Sequence, residues 1–139
     1  GIEMLLTNLD NLSGALSGKD VGTVFKVIDD RKPSRALWLE YASEPRGKLF
    51  LDAGAVTALI ERGVSLLPAG VTKVEGTFSG GDTVELISTD GKVIAKGLVA
   101  FDSDEIPQLL GKSTKDLAAT FGAEYERELV HRDDLVLLV

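Results

Sequence analysis

The first third of the chain alternates short apolar runs with polar breaks, which predicts a strand, a short helix and a second strand. Residues 2–7 form a mostly apolar run of strand length, and residues 21–28 return to a β-branched pattern. Between these runs, Asn8, Asp10 and Asn11 offer helix-capping chemistry. This order is typical of the edge of a parallel α/β sheet. Because two strands and one helix cannot bury their own faces, we expect this piece to belong to a larger sheet.

A connection broken by prolines follows and leads into a helix with clear boundaries. In the connection, Trp38 and Tyr41 lie three residues apart and would share a helix face. We expect these two aromatic residues to be anchors that dock the segment. This role is favoured above that of a platform on which nucleic-acid bases stack. Further along, Asp52 is suited to cap a helix, and Gly63 is suited to end it in the left-handed region.

Most of the remaining chain alternates apolar and polar positions with a period of two, which predicts strands. The strands predicted from this alternation are residues 71–78, 83–88 and 93–101; a short strand at 48–51 and a fully apolar strand at 135–139 are also predicted. Asp90-Gly91 is a hairpin signal because such turns need positive φ, and a second turn at Gly80-Gly81 predicts three consecutive antiparallel strands. A short helix is expected to begin at Asp102 or Ser103 and to run to Leu110, and another to begin at Ser113 and to run towards Phe121. The pattern therefore predicts a mainly β fold with short helices and a closed or nearly closed sheet.

Composition removes several classes of function. The 139 residues include no cysteine and one histidine, which excludes disulfide frameworks, thiolate zinc sites and thiol catalysis. No apolar run approaches the ~18 residues that span a bilayer, and no secretory leader is recognisable, so no membrane partner is expected. The net charge is −7, and residues 46–122 carry 8 basic and 10 acidic side chains. This balance argues against a strong nucleic-acid binder.

Two short motifs imitate catalytic sequences, and each lacks a required residue. GKS at residues 111–113 imitates the end of a P-loop, but Ile106 stands where that loop needs glycine, so a turn between helices is predicted. HRD at residues 131–133 imitates the catalytic loop of protein kinases, but no asparagine follows to hold a metal. We expect His131 and Arg132 to pair with nearby carboxylates, and the Asp133-Asp134 pair to hold no metal. The residues alone complete no catalytic, cofactor-binding or metal site.

Five strings in the middle and at the end of the chain are recognisable. They are GKLFLDAGA at residues 47–55, ALIERGVSLLPAGV at 58–71, VEGTFSGGD at 74–82, IAKGL at 94–98 and VHRDDLV at 130–136. In this order they resemble the C-terminal part of the bacterial glutamate 5-kinase family. Residues 47–125 within it resemble a PUA domain, which is named for pseudouridine synthases and archaeosine transglycosylases. The strings GIEMLLT at residues 1–7 and GKDVGTVF at residues 18–25 resemble the closing strands of the amino-acid-kinase domain of that family.

The resemblance implies a fold and a division of the chain. It implies a PUA-like mixed β pseudo-barrel, preceded by a remnant of an α/β amino-acid-kinase sheet. The implied segments are the end of the kinase domain at residues 1–30, a linker at 31–46, the PUA domain at 47–125, and a strand at 126–139 that completes the PUA fold.

The resemblance also implies a function. Glutamate 5-kinases are cytoplasmic enzymes that use ATP and magnesium to phosphorylate the γ-carboxylate of glutamate, the first step of proline biosynthesis. Their nucleotide and glutamate sites lie mostly upstream of the matching region. The leading hypothesis is therefore a chain with no catalytic, cofactor or metal residues of its own, which modulates or stabilises its upstream kinase domain.

Two other hypotheses stay open. PUA domains bind RNA beside the short helix that follows their first strand, and the matching candidates for an RNA or partner surface are Lys48, Asp52, Gly54, Arg62 and Lys73. Gly54 would let a backbone come close, Asp52 would cap the helix, and the three cations would contact phosphates. RNA as a partner rests here on fold analogy. The third hypothesis is a homo-oligomer that pairs the strand at 135–139 and the N-terminal strands between copies.

Overall fold

The computed structural model describes residues 2–27 and 33–139, and the two described ranges belong to two separate compact units. Ile28, the last residue of the second predicted strand, and the predicted boundary between residues 30 and 31 lie outside the described residues. The predicted boundaries at residues 46 and 125 stay predictions.

The first unit contains the predicted strand, short helix and strand. Strand β1 (Met4–Leu6) pairs with strand β2 (Thr23–Phe25). Between them a 3-10 turn at Leu9–Asn11 leads into helix α1 (Leu12–Leu16), and the Asn8 side chain caps the turn by accepting a hydrogen bond from the Asn11 amide at 3.0 Å. The parallel arrangement was the wrong expectation for these two strands, because they pair directly with each other and antiparallel.

The second unit is built on a mixed five-stranded sheet. Its strands are β3 (Gly47–Leu51), β4 (Val71–Gly76), β5 (Thr83–Ile87), β6 (Val93–Val99) and β7 (Val130–Leu137). Their order across the sheet is β4-β3-β5-β6-β7, with β3 and β5 parallel and the other pairs antiparallel. Strand β7 begins five residues before the predicted start at residue 135.

The prediction of three consecutive antiparallel strands is wrong. The Asp90-Gly91 turn does join β5 to β6, with Gly91 at φ 81°, but β5 lies beside β3 and not beside β4. Phe78, in the segment after β4, is 4% exposed and lies where a side chain on Gly47 would overlap its ring. Apolar alternation indicates which face of a strand is buried, but it does not choose the neighbouring strand.

An isolated bridge links the segment that precedes edge strand β4 to the start of edge strand β7. Leu66, ahead of β4, donates its amide to the Val130 carbonyl at 2.8 Å, and the Leu129 amide donates to the Leu66 carbonyl at 2.8 Å. The edges are joined here and not along their length, so the sheet forms no closed barrel. The hydrophobic core includes Phe78 and Phe101, both predicted as core. The fold is mainly β with short helices.

Short helices cover the open sides of this sheet. They are α2 (Ser34–Leu37), continued by a π-helical turn at Trp38–Ala42, α3 (Ala53–Arg62), α4 (Ile106–Leu109) and α5 (Thr114–Phe121), with 3-10 turns at Pro68–Gly70 and Ala123–Tyr125. Helix α3 ends as predicted at Gly63, with φ 56° and ψ 39°. Gly111, at φ 71°, forms the predicted turn between α4 and α5. No helix in the described part of the chain has both the length and the apolar character needed to cross a membrane.

Candidate functional site

Asp52 fixes the start of α3, the helix that follows the first strand of the sheet. Its backbone is extended, and its carboxylate accepts a hydrogen bond from the Ala55 amide at 2.7 Å. Gly54 is exposed in the first turn, and a Cβ built on it would lie 3.3 Å from the Asp52 Oδ1 atom. The Asp52 carboxylate is therefore engaged in capping the helix. Gly54, which has no side chain, leaves the backbone of the first turn accessible beside it.

Three of the five predicted surface residues line one cleft. The cleft has a volume of about 410 Å³, lies between α3 and the segment at residues 64–70, and is lined by Asp52, Gly54 and Arg62. Gly70 packs closely against α3 in this cleft, because a Cβ on Gly70 would lie 2.6 Å from the Ala55 side chain. Within the described residues Arg62 has no ion-pair partner, so its charge is open to the cleft.

The other two predicted residues lie on the outer face of the sheet. Lys48 on β3 is opposite Glu75 on β4 and opposite Glu85 on β5. Lys73 on β4 is opposite Phe50, and its Nζ atom lies 5.2 Å from the centre of that ring. Neither lysine lines the cleft beside α3, so the structure divides the five candidates into two groups.

Carboxylates partly neutralise both lysines. The Lys73 Nζ atom lies 2.5 Å from Glu75 Oε1, and Lys48 Nζ lies 3.9 Å from Glu85 Oε2. The hydrogen bond from Lys73 lowers the pKa of the Glu75 carboxyl, and the charges of Lys73 and Lys48 lower it further. A phosphate that approached this face would have to compete with these carboxylates for the lysines.

The register extends this pairing into a row across four strands. Glu75, Lys48, Glu85 and Lys96 are neighbours in that order on β4, β3, β5 and β6, so the signs alternate. Lys96, Glu75 and Glu85 are not among the five candidates predicted from the sequence. Lys96 is the one charged residue in the otherwise uncharged string of β6, a signal that could have identified it. Glu75 could have been found from its spacing of two from Lys73, which puts both on one strand face.

Lys96 also holds the helix that precedes the sheet. Its Nζ atom donates to the backbone carbonyl oxygens of Glu40 at 3.3 Å and Ser43 at 3.5 Å. Leu39, on the same helix, is completely buried, whereas Trp38 and Tyr41 are exposed. The prediction that these aromatic residues anchor the segment is therefore wrong for the described residues, because Leu39 supplies the apolar anchor.

Both basic residues of the motif near the C-terminus lie beside a carboxylate, as predicted: Arg132 forms an ion pair, and the His131 Nδ1 atom accepts a hydrogen bond from the Asp133 amide at 3.2 Å. His131 Nδ1 lies 3.7 Å from Asp133 Oδ2, and Arg132 Nε lies 3.7 Å from Asp133 Oδ1. Asp134 is paired with Arg35 at 2.8 Å. Over residues 2–27 and 33–139, no group of three or more histidine, aspartate or glutamate side chains is placed to hold a metal ion.

Comparison with known proteins gives a match to a domain-family model and similarity to curated glutamate 5-kinases. The family model of the PUA domain matches residues 47–121. A glutamate 5-kinase of Frankia casuarinae is 53% identical over 139 residues, which is 100% of this chain and 38% of that protein. A glutamate 5-kinase of Streptomyces avermitilis is 55% identical over 138 residues, which is 99% of this chain and 37% of that protein. The chain thus spans little more than a third of these curated relatives, at their C-terminal end.

A solved structure is also similar. It is a crystal structure of a PUA domain from Aeropyrum pernix in complex with tartrate, and it is 32% identical. The match covers 46% of this chain and 35% of that chain, with a TM-score of 0.44.

Proposed function

This chain belongs to the PUA domain family, and from that premise we propose that it is the C-terminal, non-catalytic part of a glutamate 5-kinase. In this proposal the parent enzyme transfers the γ-phosphoryl group of ATP to the γ-carboxylate of glutamate in the cytoplasm. The described chain modulates or stabilises the kinase domain that precedes it.

The observation that carries the proposal is the extent of the identity. The match to the PUA family model covers only residues 47–121. The similarity to a glutamate 5-kinase, at 53% identity, extends over all 139 residues. A PUA domain shared with another class of protein would not explain similarity across residues 1–46. The similarity of that segment supports descent from the same whole protein.

The first unit supports the same proposal because it has no core of its own. No side chain in residues 2–27 is buried, and large apolar residues such as Leu6 and Leu16 are 62% and 82% exposed. A two-stranded sheet is at best marginally stable in water and needs further strands or helices. A preceding domain of the parent protein would supply the missing partners.

The chemistry of the described residues fits a non-catalytic role. Phosphoryl transfer requires cations and hydrogen-bond donors arranged around the transferred phosphate. Lys48 and Lys73 are instead engaged with Glu85 and Glu75 on the sheet face. We therefore assign the binding of ATP and magnesium in the parent enzyme to the part that precedes this chain.

A truncation tests the proposed role. The full-length parent is compared with a variant that stops before Lys48, by glutamate-dependent ATP consumption, inhibition by proline, oligomeric state and thermal unfolding. We expect at least one of these to change while the truncated kinase still turns over glutamate. Identical behaviour in all four would exclude modulation, and a parent without glutamate-dependent activity would exclude the kinase assignment.

RNA binding is the second candidate function. One feature of the structure favours it, the cleft beside α3 in which the Arg62 charge has no carboxylate partner in the described part of the chain. The test is binding of the 139-residue chain to structured RNA at ~50 mM salt, a condition that favours phosphate contacts. Binding that weakens steeply with added salt would support this function, and no binding at low salt would exclude it.

A further inference from the structure

The helix that precedes the sheet presents an apolar surface to solvent. Leu37, Trp38 and Tyr41 lie within about one turn and are 40%, 48% and 77% exposed. We call these three residues the aromatic strip. The remaining aromatic side chains in residues 33–139 are buried or half-buried, so the strip is where this unit exposes its aromatic surface. Such residues are characteristic of the centres of protein interfaces.

Three contacts attach the helix that carries the strip to the rest of the second unit. The Arg35 guanidinium lies 2.8 Å from Asp134 Oδ1 on β7, and Lys96 on β6 donates to the Glu40 carbonyl at 3.3 Å. Leu39 is fully buried beneath the same helix. A surface fixed in this way loses little conformational entropy when it is covered, which favours binding.

We propose that the aromatic strip is the docking surface for the part of the parent polypeptide that precedes this chain. This inference rests on the proposed function, because it takes the occupant to be the kinase part of the same molecule. The relatives extend well beyond the matched region, which is 38% of one of them and lies at its C-terminal end. The strip begins 36 residues after Gly1 in the same polypeptide, so the covalent connection keeps the preceding part at high effective concentration.

The size and charge of the strip argue against other occupants. A stable dimer of separate molecules buries roughly 800 Å² of surface on each partner, which is far more than three side chains supply. Interfaces between domains of one chain can bury a smaller area. Residues 34–44 carry one basic and two acidic side chains, which does not suit a polyanion such as RNA.

Thiol labelling tests the occupant directly. The 139 residues contain no cysteine, so Tyr41→Cys introduces one thiol within the strip. The control, Ile60→Cys, places a thiol on α3 at a residue that is 42% exposed. Each variant is made in the 139-residue chain and in the full-length parent, and the maleimide reaction at the new thiol is followed by mass spectrometry of the peptide.

We expect Tyr41→Cys to react at least about tenfold more slowly in the parent than in the 139-residue chain, with equal rates for Ile60→Cys, and the protection to survive dilution. Equal rates for Tyr41→Cys in both proteins would overturn the proposal. Protection that disappears on dilution would also overturn it, because it would identify a second copy as the occupant.

A second pair of variants covers the case in which labelling perturbs the helix. Leu37→Ser should lower the melting temperature of the parent more than that of the 139-residue chain, whereas Ile60→Ser should lower both equally. Equal effects of Leu37→Ser would contradict docking. Glutamate-dependent ATP consumption by the unmodified parent tests the proposed function separately, so failure of the docking surface and failure of the kinase assignment are distinguishable.

Discussion

The ammonium group of Lys96 lies 3.3 Å from the backbone carbonyl oxygen of Glu40, and so joins the middle of β6 to the end of the helix before the sheet. Carbonyl groups at a helix C-terminus carry partial negative charge and have no partner inside the helix, so a cation there is favourable. The same lysine is opposite Glu85 in the sheet register. One side chain thus ends the row of alternating charges and holds the helix that carries the aromatic strip.

Replacing this lysine should loosen the helix. Lys96→Met keeps the apolar stem but removes the donors to the Glu40 and Ser43 carbonyls, and we expect the free energy of unfolding to fall by about 1 kcal/mol. For a chain of this size that corresponds to a melting temperature lower by roughly 3–5 °C. Urea unfolding followed by circular dichroism measures the change.

The matched control is Lys92→Met, which removes a lysine whose side chain is 78% exposed and which pairs with Asp90 at the surface. We expect it to change the unfolding free energy by less than about 0.5 kcal/mol. Equal losses for the two variants would mean that the carbonyl contacts of Lys96 contribute nothing specific.

The parts of this fold that the sequence predicted are those with a local cause. Asp52 and Gly63 limit α3 because one side chain caps the first turn and one glycine adopts the left-handed conformation that ends it. Ser113 caps α5 in the same way, accepting a hydrogen bond from the Asp116 amide at 3.2 Å. Such signals act within a few residues, so one sequence is enough to find them.

The parts that the sequence did not predict depend on partners distant along the chain. The pairing of β5 with β3 is decided by packing in three dimensions, such as that of Phe78 against Gly47, and no local signal reports it. The five site candidates were likewise chosen by their position in the sequence. The register then placed glutamates opposite Lys48 and divided the candidates between the sheet face and the cleft.

Two glycines in the same region should respond differently to alanine. A Cβ on Gly47 would overlap the Phe78 ring and lie 2.7 Å from the Glu75 carbonyl oxygen, so Gly47→Ala should cost about 1–3 kcal/mol of stability. In Gly54→Ala the gain in helix propensity of about 1 kcal/mol opposes a small displacement of Asp52, so we expect a change near zero.

Thermal unfolding of both variants checks this contrast, and a loss for Gly54→Ala as large as for Gly47→Ala would contradict it. If Gly54→Ala folds normally but loses RNA binding, the glycine is needed for the approach of a ligand and not for the fold.

Stability near the β5–β6 turn should decrease at acid pH because of Asp90. A hydrogen bond from the Ser88 hydroxyl, followed by one from Lys92, lowers the pKa of Asp90 from 3.8 to about 2. A carboxyl whose pKa is lower in the folded state stabilises the fold above its unfolded pKa, and the stabilisation is lost as the pH falls through the folded value. The contribution should therefore be complete above pH ~4 and disappear towards pH ~2.

The measurement is an NMR titration of the Asp90 carboxyl group together with unfolding of Asp90→Asn over this pH range. Ser88→Ala is the control, since loss of the hydroxyl should move the Asp90 pKa upward. A titration midpoint at the ordinary value of 3.8 in the unmodified chain would refute the role of the two hydrogen bonds.

The glutamates on the sheet face should suppress RNA binding by Lys48 and Lys73. In the double variant Glu75→Gln, Glu85→Gln both lysines lose their carboxylate partners, and the net charge rises by two from −7. We expect structured RNA to bind the variant more tightly than the unmodified chain. The slope of log affinity against log salt should steepen by about 0.7–0.9 for each additional phosphate that the variant neutralises.

Fluorescence anisotropy between ~50 and ~200 mM salt measures this change. The control Glu124→Gln, Glu126→Gln makes the same change in net charge at two exposed residues that do not line the sheet face. Equal increases in affinity for the two double variants would show that total charge alone governs binding. No increase for the variant on the sheet face would show that its lysines bind no phosphate even when released, and would leave the cleft that contains Arg62 as the one candidate for RNA among the surfaces considered.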